Sequence, residues 1–247
     1  MINFFGIVGT LMAVIVLWAA VEPVHAMHIA EGILPMGWAV LWFLASLPLI
    51  VVGLRNLRIR SEKEPHLKAL VGLVGAGVFI ISCMPIPVPT AGTCSHPCGT
   101  GIAAILIGPT LSVVVSSVAL TLQALFLAHG GLTTLGANTF SMGVAGSFAG
   151  YGIFVLARRL GASWVISAFL AGLISDWATY GVTAFILTGA LHFEGSFWKM
   201  FVTICLAFTP TQIPLGILEG FVSAGAYSFI HSRRPEFLQM LAKGGAA

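Results

Sequence analysis

The chain has 247 residues, of which 58% are hydrophobic and only 8% charged, with a formal net charge of +3 and a mean hydropathy of +1.02. Because soluble domains carry roughly 25% charged residues, 11 basic and 8 acidic residues cannot cover a water-exposed surface, and a soluble globular fold is excluded. The apolar runs are continuous rather than alternating, which predicts membrane-spanning helices. The small, scattered charge excludes a nucleic-acid groove, and four cysteines in a chain of this length do not indicate a disulfide scaffold.

Residues 1–26 are predicted to be a cleaved signal peptide. Residues 4–21 are apolar and uncharged, and Glu22 and Pro23 end this run shortly before Ala26. Small residues at Val24 and Ala26 fit the pattern for cleavage after Ala26. The alternative of a retained anchor helix stays open, because the first three residues carry no lysine or arginine and the run is long enough to span a bilayer. Cleavage would start the mature chain at Met27, outside the membrane.

The remaining apolar stretches predict seven passes. They lie at about 36–54, 67–88, 100–128, 138–157, 162–191 and 198–230. Basic residues cluster at 55–68, at 158–159 and at 233–243, and the positive-inside rule places all three clusters in the cytoplasm. This requires the stretch 100–128 to cross twice or to re-enter, breaking at Gly108-Pro109, a strong helix interrupter. The first limb is then too short to face lipid and must be tilted or buried in protein.

The predicted fold is therefore an all-α polytopic membrane bundle of about seven transmembrane helices after removal of the signal peptide. The membrane-embedded domain covers residues 27–235, and residues 236–247 form a cytoplasmic tail. The mature N-terminus is expected outside and the C-terminus inside the cell.

Histidines are predicted at the external ends of helices, which suggests a metal site there. For His129 and His192 we favour ordinary solvated loop residues. His28 differs, because after cleavage it is the second residue. The α-amine of Met27, the backbone nitrogen of His28 and its Nδ1 can form two fused chelate rings, and His96 is the obvious fourth ligand. Four nitrogens in a plane suit Ni(II), Cu(II) and, less commonly, low-spin Co(II), whereas Zn(II) prefers tetrahedral sites.

The loop around His96 also contains Cys94 and Cys98. This spacing is compatible with a thiolate site for Zn(II) or Cu(I). Because the external compartment is oxidising, we favour either a disulfide between Cys94 and Cys98 or two unpaired thiols.

Two acidic residues, Asp176 and Glu219, lie within or near apolar spans, where charges are costly and usually face a bundle interior. We favour structural roles, with Asp176 bonded to Tyr180 and Glu219 closing a kink after Pro210 and Pro214. An ion path or a partner contact is the alternative.

Three segments resemble one known family. Met27–Pro35 (MHIAEGILP), Gly92–Gly101 (GTCSHPCGTG) and Gly136–Gly143 (GANTFSMG) are similar to the CbiM/NikM family, the substrate-binding subunits of energy-coupling-factor (ECF) cobalt/nickel importers. The similarity runs through residues 27–235. It implies metal ligation by the Met27 amine, by the amide and imidazole of His28, and by His96, in a six-helix core preceded by one extra helix.

The resemblance also implies partners, namely a transmembrane coupling subunit, ATP-binding subunits and a small accessory membrane subunit. The chain departs from the family pattern in two respects. The family usually begins directly at Met-His, so the leader makes processing obligatory, and Cys94 and Cys98 stand where hydroxyl residues are more common.

The leading hypothesis is a metal-capture subunit of an ATP-driven importer in the plasma (inner) membrane of a prokaryote. The chain contains no GxxxxGK[ST] motif, so ATP hydrolysis is expected in partner subunits. We expect no enzymatic activity and no prosthetic group, with Co²⁺ or Ni²⁺ as the transported ion. The short form resembles the cobalt branch, which serves cobalamin synthesis, but the ligand chemistry does not separate the two ions.

Two other classes are weighed. An intramembrane enzyme is disfavoured because the chain has no HExxH motif and its histidines lie at helix ends. A self-contained metal channel or secondary carrier would have to transport without ATPase partners. If the predicted nitrogen ligands fail, Glu31 and Glu194 offer an alternative external metal site.

Overall fold

The computed structural model describes residues 28–84, 86–88, 93–192 and 195–233. The predicted signal peptide, Met27 and the predicted tail at 236–247 lie outside the described residues. Within the described ranges, seven helices and one small hairpin follow in chain order: α1 (Met36–Lys63), α2 (Leu67–Ser82), β1 (Ile86–Val88), β2 (Thr93–Ser95), α3 (Thr100–Ile107), α4 (Pro109–Phe126), α5 (Leu135–Arg159), α6 (Trp164–Leu191) and α7 (Phe197–Arg233).

The predicted all-α membrane bundle is confirmed. Five helices, α1, α4, α5, α6 and α7, are long and apolar enough to cross a bilayer, whereas α2 has 16 residues and α3 only 8. A perpendicular crossing needs about 20 residues, so two of the seven predicted passes are shorter than a full span. The two three-residue strands were not predicted; they pair antiparallel and lead the chain from α2 into the loop that contains His96.

The predicted break at Gly108-Pro109 is present. Gly108 leaves helix α3 with a φ of +89°, which glycine adopts without a steric penalty. Pro109 begins α4 at a position where its missing N–H costs nothing. Arg60 at the end of α1 donates from Nη1 to the carbonyl of Ile107 at 3.2 Å, and so satisfies one of the last carbonyls of α3.

Helix α3 is buried in protein, as its short length required. All of its residues except Ile105 are buried. Close approach depends on glycine, since a Cβ on Gly101 would lie 2.6 Å from the backbone oxygen of Ala171 in α6, and one on Gly150 of α5 would lie 2.9 Å from the same oxygen. Small residues of this kind allow helices to pack with their backbones nearly in contact. A half-length helix is therefore enclosed by full-length ones.

The outer helices α1 and α7 have mostly apolar, exposed surfaces. Only 17% of their most hydrophobic windows is buried within the chain. Large side chains such as Leu44, Leu206 and Phe221 are exposed, and a bilayer would cover them.

Candidate metal centre

The segment that follows His28 is fixed to the start of α5. The N–H of Ile29 donates to Oδ1 of Asn138 at 2.8 Å, and the carbonyl of Ile29 accepts from Nδ2 of Asn138 at 3.1 Å and from the hydroxyl of Thr134 at 2.6 Å. Asn138 belongs to the GANTFSMG segment and directly precedes the π-helical turns Thr139–Gly146 of α5. The backbone next to His28 is thereby held in one position.

Two predicted site residues, His28 and His96, meet at one buried point although they are 68 positions apart. Their Nε2 atoms are 3.1 Å apart, and the two residues are only 7% and 1% exposed. His96 donates from Nδ1 to the carbonyl of Pro97 at 2.9 Å. Because a carbonyl can only accept, the unprotonated nitrogen of a neutral His96 is Nε2.

Gln123 of α4 sets the tautomer of His28. Its Nε2 donates to the hydroxyl of Ser82 at 2.7 Å, and its Oε1 lies 2.9 Å from Nε2 of His28. With its amide oriented in this way, Gln123 accepts the Nε2–H of His28, and the ring's free lone pair is on Nδ1. That is the atom which the predicted chelate uses.

His129 is the residue that sequence reasoning missed. It was predicted to be an ordinary solvated residue, but its ring centroid lies 5.0 Å from that of His28 and 5.2 Å from that of His96. One nitrogen of each of the three rings lies within 4.8 Å of the others. We call this group the histidine cluster. His129 sits in a turn formed by Ala128 (φ +49°) and Gly130 (φ +77°).

The glycine at this turn is required by packing as well as by its backbone angle. A Cβ on Gly130 would lie 3.0 Å from Cβ of His28. The sequence did contain a signal for His129. It is followed by two glycines, which favour a tight turn, and it was predicted on the same side of the membrane as His28. His192, by contrast, follows the end of α6 and packs its ring on Phe197, outside the histidine cluster.

Burial keeps the imidazoles neutral. Desolvation, reinforced by the neighbouring rings of His96 and His129, holds the pKa of His28 well below its ordinary value of 6.5. Desolvation and the nearby His129 lower the pKa of His96 to about 3. Both rings are therefore uncharged near pH 7, which is the form that binds metal ions.

The loop after His96 is fixed by Glu219 of α7. The carboxylate accepts the backbone N–H of Cys98 at 2.7 Å and that of Gly99 at 2.9 Å, one on each oxygen. The prediction that Glu219 closes a helix kink is wrong, because its carboxylate binds this distant loop. Charge-assisted hydrogen bonds of this type are stronger than neutral ones, so Glu219 positions the chain that carries His96.

Cys98 is a buried free thiol, so the predicted disulfide with Cys94 is not formed, and the unpaired alternative holds for Cys98. Its Sγ lies 3.9 Å from Oδ1 of Asp176, on the side facing the bundle. Tyr180, the predicted partner of Asp176, donates its hydroxyl to the carbonyl of His96 at 3.3 Å.

The alternative external site is only partly described. Glu31 is exposed, and its carboxylate accepts hydrogen bonds from the side chain of Thr133 and from the Thr133 backbone N–H at 3.2 Å. The side-chain bond contributes most to lowering the pKa of the Glu31 carboxyl. Glu194 lies outside the described residues. Met27 does too, so its chelating amine stays a prediction.

Comparisons with known proteins agree on one family. A family profile described as "Cobalt uptake substrate-specific transmembrane region" (CbiM) matches residues 28–237. A protein of Geobacter sulfurreducens, "Cobalt transport protein CbiM", is 59% identical over 216 residues, which cover 87% of this chain but 62% of that protein. The chain thus spans less than two thirds of this relative. A protein of Sorangium cellulosum with the same name is 58% identical over 215 residues, covering 87% and 96% of the two chains.

A solved structure has the same fold. It is described as the crystal structure of a transition metal transporter, and it superposes with a TM-score of 0.75 at 25% sequence identity, covering 83% of this chain and 93% of the other.

Proposed function

Because the chain belongs to the CbiM family of cobalt uptake substrate-specific transmembrane regions, we propose that it captures Co²⁺ at the histidine cluster for import across a prokaryotic plasma membrane. The observation that carries the proposal is the convergence of buried His28 and His96, with their Nε2 atoms 3.1 Å apart. Each of these neutral imidazoles, from separate segments, has one unprotonated nitrogen that can bind a divalent transition metal.

Cleavage after Ala26 would complete the site. The amine of Met27, the amide nitrogen of His28 and its Nδ1 would wrap the ion, with Nε2 of His96 in the fourth position. The tautomer that Gln123 favours supports this arrangement, because it leaves Nδ1 of His28 unprotonated. Ligand nitrogens lie about 2.0–2.1 Å from such a metal. In the imidazole of His28, the proposed ligand Nδ1 points away from Nε2, which is the atom now next to His96. The two Nε2 atoms must therefore move apart, so binding rotates one imidazole.

ATP hydrolysis would come from partner subunits. The sequence has no P-loop motif, and we assign that step to ATP-binding subunits joined through a transmembrane coupling subunit, with a small accessory membrane subunit. The chain itself would act as a non-enzymatic capture subunit. The histidine cluster faces outside, and the basic ends of α1, α5 and α7 face the cytoplasm.

Nickel is the second candidate ion. Four nitrogens in a plane suit Ni²⁺ at least as well as Co²⁺, so the family assignment, and not the donor set, favours cobalt. Competition between the two ions on the purified protein would rank them. A self-contained channel or carrier would instead transport metal in cells that lack the ATP-binding subunits.

The central experiment combines N-terminal sequencing with metal analysis of the purified full chain. We expect the mature chain to start at Met27 and to bind Co²⁺ at the histidine cluster. A variant with one alanine inserted between Ala26 and Met27 should lose this binding. The insertion moves the imidazole one residue from the amine. His66→Ala, at the opposite end of the bundle, is the matched control and should bind normally. Normal cobalt uptake by the insertion variant, with cleavage still after Ala26, would contradict the chelate.

A further inference from the structure

A second group of metal-binding side chains lies next to the histidine cluster, deeper in the bundle. It consists of Cys98 in the loop before α3, Asp176 in α6 and Glu219 in α7, and we call it the acidic cluster. One ligand atom of each residue lies within 4.8 Å of the others. All three residues are at most 1% exposed.

One oxygen of the acidic cluster has no partner. Oδ2 of Asp176 is buried and makes no hydrogen bond, while Oδ1 is 3.9 Å from the thiol of Cys98. Within the described residues, both ion pairs lie at the end of α1, so no lysine or arginine neutralises either acid. A buried carboxylate oxygen without a partner is costly. A bound cation would remove this cost.

The packing around that oxygen leaves it facing α7. A Cβ on Gly216 would lie 3.2 Å from Oδ2 of Asp176, and Glu219 follows Gly216 by one helical turn. Glu219 uses its two oxygens to accept the N–H groups of Cys98 and Gly99, and each oxygen keeps a further lone pair. The carboxylates of α6 and α7 thus meet beside the Cys98 thiol.

The acidic cluster lies on a path that leads away from the histidine cluster. Tyr180 contacts the carbonyl of His96, and Asp176 lies four residues earlier on α6, about 6 Å along the helix axis. This direction leads toward the end of α6 that follows the basic pair Arg158 and Arg159 of α5. In the loop itself, Cys98 follows His96 by two residues. An ion that leaves the histidine cluster toward the cytoplasmic end would meet the acidic cluster next.

We propose that Cys98, Asp176 and Glu219 form a second divalent-metal site, to which the captured ion passes. One thiolate and two carboxylates suit a borderline cation such as Co²⁺ or Zn²⁺. On binding, the thiol releases its proton and forms a sulfur–metal bond. The onward step rests on the proposed capture function, but binding at the acidic cluster can be measured without it.

The test uses the full chain purified in detergent and titrated with Co²⁺. His28→Ala removes the first site, and we expect this variant still to bind cobalt with a thiolate-to-cobalt charge-transfer absorption in the near ultraviolet. Adding Cys98→Ser should abolish that absorption. Cys205 is a half-buried thiol elsewhere on α7. Adding Cys205→Ser instead should leave the absorption unchanged, and this variant is the matched control.

A second variant separates loss of the site from loss of the fold. Asp176→Asn keeps the size of the side chain, and we expect it to weaken cobalt binding at the acidic cluster by at least about 10–100-fold. With His28 intact, it should retain binding at the histidine cluster, which reports a folded bundle. If Cys98→Ser removes binding at both clusters, the substitution has disturbed the fold. The affinity of Asp176→Asn then decides whether the acidic cluster binds cobalt.

Three results would overturn the proposal. These are the absence of a thiolate absorption in His28→Ala, an absorption that disappears with Cys94→Ser but not with Cys98→Ser, and unchanged affinity in Asp176→Asn. Failure of the proposed capture function alone would look different. The chain without substitutions would then show the thiolate absorption of the acidic cluster but no cobalt bound by nitrogen at the histidine cluster.

Discussion

The histidine cluster and the acidic cluster share one loop, yet they are built from opposite chemistry. The histidine cluster takes its residues from three segments at helix ends, and its buried imidazoles are neutral near pH 7. The acidic cluster takes two of its residues from the interior of α6 and α7, and it leaves one carboxylate oxygen without a partner. Neutral donors can be buried without a counter-charge, whereas carboxylates need a proton or a cation. The same loop therefore joins a site suited to capture with one suited to holding a charge inside the bundle.

The largest expected effect separates the two clusters directly. His28→Ala should remove nearly all cobalt binding at the histidine cluster, because it breaks the chelate. Met27→Ala should be much milder, since only the backbone nitrogen of Met27 is proposed to bind. Equilibrium titration of the purified protein measures both, with His192→Ala as the control outside the cluster. A loss in Met27→Ala as large as that in His28→Ala would point to a thioether ligand.

The pH dependence should distinguish the nitrogen donors from one another. The lowered pKa values leave His28 and His96 unprotonated well below pH 6.5, so they release almost no protons on binding at pH 7. The protons must come from the Met27 amine, with a reference pKa of about 7.7–8.0, and from the His28 amide. Because each released proton weakens the affinity as the pH falls, cobalt binding should drop at least about 100-fold from pH 8 to pH 6.

Calorimetry in buffers of different ionisation enthalpy counts these protons. We expect more than one proton per ion near neutral pH. A count near zero would rule out the amine and amide as ligands and favour a carboxylate site at Glu31 and Glu194.

A smaller effect is expected where a side chain only orients a ligand. Gln123→Leu removes the acceptor of the His28 Nε2–H. Loss of a residue that orients a metal ligand by a hydrogen bond typically lowers the metal affinity about 10–100-fold. Gln212→Leu is a matched control, since Gln212 donates to the hydroxyl of Ser95, the residue before His96, and not to an imidazole. Equal losses in the two variants would indicate a general loosening of the loop.

The smallest effect on the histidine cluster should come from the cysteines. The double variant Cys94→Ser, Cys98→Ser should bind the first cobalt ion less than about tenfold more weakly, because the thiol of Cys98 faces the acidic cluster. Titration with a thermal unfolding control tests this. If a folded double variant binds no cobalt at all, a thiolate site must replace the four-nitrogen site.

The sequence by itself determined the features that depend on neighbouring residues. Continuous apolar runs predicted the long helices, and the Gly108-Pro109 break followed from backbone chemistry and from the sidedness of the basic residues. The choice of His28 rested on local chemistry too, because a histidine second in a mature chain chelates through atoms of its own segment. His96 was chosen because the predicted topology places its loop on the same external side as Met27.

The tertiary structure decided which distant side chains meet. His129 joins His28 and His96, and Glu219 binds the backbone of Cys98 across 121 positions. In a soluble protein, the apolar stripe of a helix would have indicated its buried face. Here the lipid-facing and bundle-facing surfaces are both apolar, so periodicity does not reveal how α6 and α7 are rotated. Only packing turns Asp176 and Glu219 toward the loop after His96.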